Sequence, residues 1–248
     1  LGLIFRQVST GDERVEPDYD TALVFRRHGV FLNLYAQMFA EKEEFETDVH
    51  VASSRDGIHW ERTWDRKPLI PRGPEGSFDH ANVEQGTSPP LDLGEDMLIY
   101  YYACPASAGA NGGNWSLEAG VGVGRLRRDR FIGQWAGEQT GYLLTRQFVL
   151  EGNKLLLNCT ALPQSYHKET YGIRVAIIEA PDYQTPETTW EKAVPGYSLE
   201  DSDRIMTDNI AYTVTWKGKA DLSSLKGRAI YLRFQMKKAG LYSFQIAQ

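Results

Sequence analysis

The sequence predicts an all-β chain in which a four-stranded module occurs twice and an antiparallel sandwich follows. Three observations carry this. Short runs alternate with period two, as where Val49, Val51 and Ser53 interleave with His50, Ala52 and Ser54, the pattern of a strand with two unlike faces. Turn-forming groups such as Arg55-Asp56-Gly57, Lys217-Gly218 and Lys238-Ala239-Gly240 separate such runs. Ring-bearing residues are abundant, with 13 Tyr, 10 Phe and 6 Trp among 248 residues, and these suit a pleated, half-buried surface. The alternative use of so many rings is a stacking surface for sugars.

In chain order, the apolar pentad Leu1 to Phe5 lacks the basic start and long apolar core of a signal peptide. The expectation is a cut or truncated start. An acidic segment follows, with Asp12, Glu13, Glu16, Asp18 and Asp20 around Pro17. It reads as a solvated loop, or as the entry by which Asp18 or Asp20 reaches a central site. Ala22 to Phe25 and Val30 to Phe39 form a hairpin about the turn Arg26 to Gly29, and Glu41 to Glu44 make a charged loop. The third strand runs through Val49 and Val51. Gly57 supplies the positive φ of the next turn, His59 to Arg62 return, and Leu69-Ile70-Pro71 leaves extended because proline fixes φ and keeps its neighbour out of helix. Asp56 is expected to close its own turn.

The second module repeats this with longer loops. Val83 to Leu91 is extended, Asp92 to Asp96 turn, Met97 to Ala103 form a tyrosine-rich strand, Glu118 to Leu126 the third strand and Phe131 to Trp135 the fourth. Leu143 to Arg146 take the place of Leu69 to Arg72. Aligning Phe31 with Met97 and Val49 with Ala119 gives a repeat of about 65–70 residues, and repetition of a four-stranded module marks a propeller. Gly120-x-Gly122-x-Gly124 lacks the spacing and following helix of a dinucleotide site. Alternate glycines on one face of a strand instead permit close approach of a neighbouring sheet. After about residue 147, strands near 148–150, 155–158, 173–178, 211–216, 229–236 and 241–246 follow with short turns, indicating an antiparallel sandwich.

A net charge of −6 argues against nucleic acid and against an anionic membrane, which both favour basic surfaces. No apolar run reaches the roughly 18 residues of a membrane helix. Cys104 and Cys159 have no metal-ligand spacing and leave the pairing and the compartment open.

Residues 47–79, with D-V-H-V-A-S-S-R-D-G-I-H-W-E-R and L-I-P-R-G-P-E-G-S-F-D, resemble the late blades of bacterial five-bladed propeller proteins related to glycoside hydrolase families 32 and 43. Residues 195–246, with P-G-Y-S-L-E-D-S-D and W-K-G-K-A-D-L-S-S-L-K-G-R-A-I-Y-L-R-F, resemble the β-sandwich that closes such proteins. The resemblance implies an incomplete five-bladed β-propeller over residues 1–146, about two blades of it visible, and a C-terminal β-sandwich over 147–248. It implies a glycoside hydrolase-like protein, a fragment or one part of a split chain, acting on a plant or algal polysaccharide or oligosaccharide in the periplasm or outside the cell. The remaining blades then come from an upstream segment or another chain. In such hydrolases the three standard carboxylates sit on the first three blades, so none need lie here. The alternatives are a non-catalytic carbohydrate-binding propeller protein and an assembly scaffold.

Glycoside hydrolysis needs two carboxyl groups, about 5–5.5 Å apart for retention and about 6.5–9.5 Å for inversion. Glu84 is the candidate acid, on an inferred inner strand beside His80, Asn82 and Gln85. Asp20 and Asp79 flank corresponding strand entries. Each carboxyl has a blander use in holding a loop or a sugar hydroxyl. His80, Asn82, Gln85 and His50 are candidates for sugar contact, with Asp48 beside His50, and Trp115 for stacking. Glu200, Asp201, Asp203 and Asp208 offer oxygen ligands for calcium, yet without an EF-hand pattern they read as turn formers. No other cofactor is expected.

Overall fold

The structure, a computed structural model, describes residues 19–41, 44–63, 65–106, 119–161, 171–179 and 192–248. The fold is all-β, the described residues holding one helical turn, Ser223–Leu225. None of their helices is long and apolar enough to cross a membrane. The chain divides into two compact units, Leu1–Ile132 and Gly133–Gln248. The boundary expected between 146 and 147 falls inside the second.

The first unit opens with β1 (Tyr19–Arg27), β2 (Val30–Glu41), β3 (Glu44–Ser54) and the short β4 (Glu61–Arg62), each antiparallel to the one before. His28 and Gly29 make the first turn with φ of 48° and 82°, the mirror-image turn whose twist matches the strands it joins. Asp56 closes its turn as expected, its Oδ1 accepting from the amides of Ile58 and His59 at 2.8 Å each. The exit also forms, for the amides of Leu69 and Ile70 both donate to the Val49 carbonyl.

The second group holds β5 (Asn82–Gln85), β6 (Leu91–Leu93), β7 (Asp96–Cys104) and β8 (Gly120–Arg127). The single extended strand expected over Val83 to Leu91 is broken into β5 and β6, which both pair with β7. Pro89 and Pro90 lie in the gap and have no amide hydrogen to give to a ladder. Residues Thr47 and Asn82 join the groups as a parallel pair, giving one eight-stranded sheet. Leu32, Leu34, Val49 and Val51 from the first group share a core with Val83, Met97, Ile99 and Ala103 from the second.

The fourth strand expected at Phe131 to Trp135 does not join this sheet. Phe131 enters the first unit's core, its ring 5.8 Å from that of Phe25. In the second unit, β9 (Gln134–Ala136) pairs with β16 (Ala239–Ala247). The residues matched to the Leu69 exit likewise form β10 (Gly141–Leu144), paired with β15 (Ala229–Lys237).

The second unit is a sandwich of two four-stranded sheets. One has β15 at its centre, with β13 (Gly172–Glu179) on one side and β10 followed by β11 (Phe148–Val149) on the other. The second runs β14 (Asp208–Thr213), β12 (Lys154–Thr160), β16, β9. Ile230, Leu232, Phe234 and Met236 of β15 meet Leu155, Leu157 and Leu241 in a common core, the alternation that one buried face requires. The strand expected through Trp216 ends at Thr213, and Trp216 turns inward, its indole donating to the Val175 carbonyl at 2.8 Å. Cys104 and Cys159 are buried as thiols, one in each unit.

Candidate functional site

The first unit concentrates its polar chemistry where β3 meets β5. The Thr47 amide donates to the Ala81 carbonyl at 3.1 Å, and its hydroxyl donates to Asn82 Oδ1 at 3.3 Å. That hydroxyl also accepts from the Val83 amide at 3.0 Å. Asn82 Nδ2 donates to the Ala106 carbonyl at 2.5 Å. Asn82 is thus a bolt between strands and is almost fully buried.

Three carboxylates converge on Arg72 and Gly73. The Arg72 amide donates to Asp48 Oδ1 at 2.8 Å, and its guanidinium pairs with both Asp48 and Glu46. The Gly73 amide donates to the Asp79 carbonyl at 2.9 Å, and a Cβ on Gly73 would run into the Asp79 carboxylate. Asp79 is held from both sides, by the Ser77 hydroxyl at 2.7 Å and the Tyr101 hydroxyl at 3.0 Å. Burial raises the Tyr101 phenol above its ordinary pKa, and the Asp79 carboxylate raises it further. His80 Nδ1 donates to the Ser77 carbonyl at 3.0 Å, which fixes the same loop.

An aromatic shelf stands over these groups. Phe78 stacks on Tyr101 with ring centroids 6.3 Å apart and planes 22° apart, and remains 41% exposed. The glycines of β8 make room for it. A Cβ at Gly122 would collide with the Tyr101 ring, and one at Gly120 would lie 3.1 Å from Phe78. The close approach expected at the alternate glycines is therefore made by two rings, while Gly124 lies against Ile70.

Alternation separates the remaining candidates. Glu84 pairs across the ladder with Tyr102, and Gln85 with Tyr101, so Glu84 lies on the opposite face of the sheet from the Asp79–Tyr101 contact. The amide oxygen of Gln85 is buried and has no hydrogen-bond partner among the described residues. Asp20 lies on β1 in the irregular stretch between Tyr19, which pairs with Gln37, and Ala22, which pairs with Tyr35, but its side chain is outside the described residues. So is Trp115 altogether.

His50 lies on the face of β3 shared with Asp48, opposite Tyr35, its ring 5.8 Å from the tyrosine ring and nearly parallel. Burial, with a smaller effect of the Arg62 charge, pushes its pKa down to about 4. Burial pushes the Asp48 carboxyl up, partly offset by the Arg72 amide. The neighbouring imidazole is held neutral and the carboxyl keeps its proton to higher pH. In the second unit, Asp203 accepts from the Thr215 hydroxyl at 2.6 Å and the Gly218 amide at 2.7 Å, and Asp201 pairs with Lys217. Among the described residues no group of three or more His, Cys, Asp or Glu is gathered to hold a metal ion.

Sequence reasoning missed Glu46, Arg72 and Phe78. Phe78 had a signal, since β8 offers a row of glycines across the sheet from the tyrosines of β7.

No protein-family model matches the chain, and no curated protein does. Among solved structures, a protein from a complex titled for BT0996 and RGII aligns with 48% of this chain at 15% identity and a TM-score of 0.35. The alignment spans 36% of that protein's own length.

Proposed function

We propose that the protein binds carbohydrate at the shelf formed by Phe78, Tyr101 and Asp79, as part of a glycoside hydrolase-like protein acting on a plant or algal glycan. The observation that carries this reading is the seating of two stacked rings on Gly120 and Gly122, with a carboxylate fixed at their edge. A sugar ring has an apolar C–H face and a rim of hydroxyls, which match an exposed aromatic face beside a carboxylate. Asp79 accepts from Tyr101 and Ser77 through one lone pair on each oxygen and retains acceptor capacity for a hydroxyl. Gln85 pairs across the ladder with Tyr101, and His80 follows Asp79 directly in sequence. A glycan of this origin goes with a periplasmic or secreted location.

A hydrolytic reading uses the carboxyl pair at Arg72: burial raises the Asp48 carboxyl, and the guanidinium pairs with both Asp48 and Glu46. Acid–base cleavage of a glycosidic bond uses a pair of carboxyls. Calorimetric titration with neutral and acidic plant oligosaccharides, run beside an assay for released reducing ends, tests both readings. Phe78→Ala and Asp79→Asn should each weaken binding roughly tenfold, equivalent to about 1.4 kcal/mol. Binding that survives both substitutions unchanged rules out the shelf. Asp48→Asn should abolish release of reducing ends under the hydrolytic reading and leave binding at the shelf intact.

A further inference from the structure

The face of β7 and β8 turned away from the shelf is apolar and open. Cross-strand pairing lays it out in rows: Glu84, Tyr102 and Val121 form one, Tyr100 and Val123 the next, and Leu91, Leu98 and Arg125 the third. Val121 is 72% exposed, Val123 and Leu91 51% each, and Tyr100 40%. Single exposed apolar residues are ordinary, but contiguous rows of them on one sheet face mark an interaction surface.

The internal repeat shows what such a face does elsewhere in this molecule. Aligning Phe31 with Met97 sets Leu32 and Leu34 against Leu98 and Tyr100, and aligning Val49 with Ala119 sets Val51 against Val121. In the first module Leu32, Leu34 and Val51 are buried, sharing a core with Val83, Met97 and Ile99 from the strands of the next module. Tyr100 and Val121, at the matching positions of the second module, are exposed. The face is thus of the kind that this chain covers with another layer of sheet.

The charge pattern selects the occupant. The corners of the face are Glu84, Val121, Arg125 and Leu91, with Tyr100 between them. Acid and base lie at the ends of one diagonal, and the apolar corners at the ends of the other. Turning a second copy about the apolar diagonal lays the Glu84 corner of each copy over the Arg125 corner of the other, with Tyr100 meeting Tyr100 at the centre. The strands of the two sheets then cross near a right angle, one of the two ways in which sheets pack face to face. Arg125 is already paired with Asp96, so the corners orient the contact while the apolar rows supply its strength.

We propose that the face formed by Leu91, Tyr100, Val121 and Val123 joins two copies of this chain as a two-fold dimer. Such a dimer goes beyond the shelf and does not depend on what the shelf binds. Tyr101 and the Phe78 ring stacked on it belong to the other face of β7, so the contact uses neither shelf.

Sedimentation velocity on the whole chain at about 1–100 µM, the weak end of the range for interfaces of ordinary size, reads the association directly. The parent protein should dimerise in that range. Val121→Glu should raise the dissociation constant roughly tenfold or more. Val123→Ser, a milder change, should act in the same direction and covers the case in which Val121→Glu does not fold. Ile58→Glu, at a residue 67% exposed on the Asp56 turn, should leave the dimer unchanged. Glu84→Lys should weaken it, and combining Glu84→Lys with Arg125→Glu should restore it. A parent protein that stays monomeric at about 100 µM overturns the proposal, as does a dimer that folded Val121→Glu and Val123→Ser both leave intact. An equal loss in Ile58→Glu also overturns it, because association is then general stickiness and not this face. Failure of the double charge reversal to restore the dimer overturns the two-fold pairing.

Discussion

The sandwich core and the β2–β3 face are both buried layers of β-sheet, and they differ in how their polar atoms are treated. In the sandwich, β15 sends Ile230, Leu232, Phe234 and Met236 into an apolar interior. Polar groups that enter it find partners, as where the Trp216 indole donates to the Val175 carbonyl and the Ser202 hydroxyl accepts from the Val175 amide at 3.0 Å, and Asn153 Oδ1 is an exception. On the β2–β3 face, Asn33 and Gln37 are enclosed with side-chain atoms that find no partner among the described residues. Both layers follow strand alternation, but one is consistent with stability as the governing demand and the other is not. The difference teaches that burial alone does not identify a core. What distinguishes the two layers is how far their buried hydrogen-bonding groups are satisfied.

Three experiments would break or sharpen that contrast. The largest effect belongs to the sandwich. Trp216→Ala removes a fully buried ring and its hydrogen bond, and should cost about 3–5 kcal/mol in denaturant-induced unfolding. A loss under about 1 kcal/mol would mean that the apolar layer is less decisive than its packing indicates.

The next belongs to the polar face. His50 titrates in the unfolded chain near its ordinary value of 6.5 and in the folded protein at about 4. Its contribution is therefore fully present above the ordinary value and is lost as the pH falls from about 6.5 toward 4. The full loss is about 3 kcal/mol. Asp48 has a raised folded pKa and acts in the opposite sense, its protonation relieving part of its burial cost as the pH falls. Unfolding free energies from pH 7.5 to 4.5 for the parent and for His50→Gln isolate the histidine, and equal slopes in the two would show that it does not titrate there as described.

The smallest effect belongs to the shelf. Gly122→Ala places a methyl group where the Tyr101 ring lies and should cost about 1–3 kcal/mol through overpacking. Tyr101 should lose its contact with Asp79 in the same variant, visible as a changed near-ultraviolet circular dichroism signal. An unchanged signal would mean that the ring does not need the glycine.

Much of this was legible in the sequence. Alternation at Val49 to Ser54 marks β3, Gly29 and Gly57 mark real turns with positive φ, and Asp56 closes its turn through its own carboxylate. The sandwich strands follow from the same period. The fourth strand of the second module was misplaced because the run from Phe131 to Trp135 suits any sheet edge. Its pairing depends on β16, which is about a hundred residues away in sequence. The site was less legible still. Asp79 and Glu84 are five positions apart, yet one is bonded to Tyr101 while the other lies on the opposite face of β5, and Arg72 joins Glu46 to Asp48 across a loop whose path no local pattern records.

The sequence by itself determined that the chain is β throughout and where its strands and tight turns lie, because side-chain alternation and backbone φ are properties of a few adjacent residues. Only the tertiary structure decided which strands share a sheet, which glycines carry rings and which buried amides go unsatisfied. Those outcomes depend on contacts between distant segments, where burial changes the cost of a polar atom according to what happens to lie beside it.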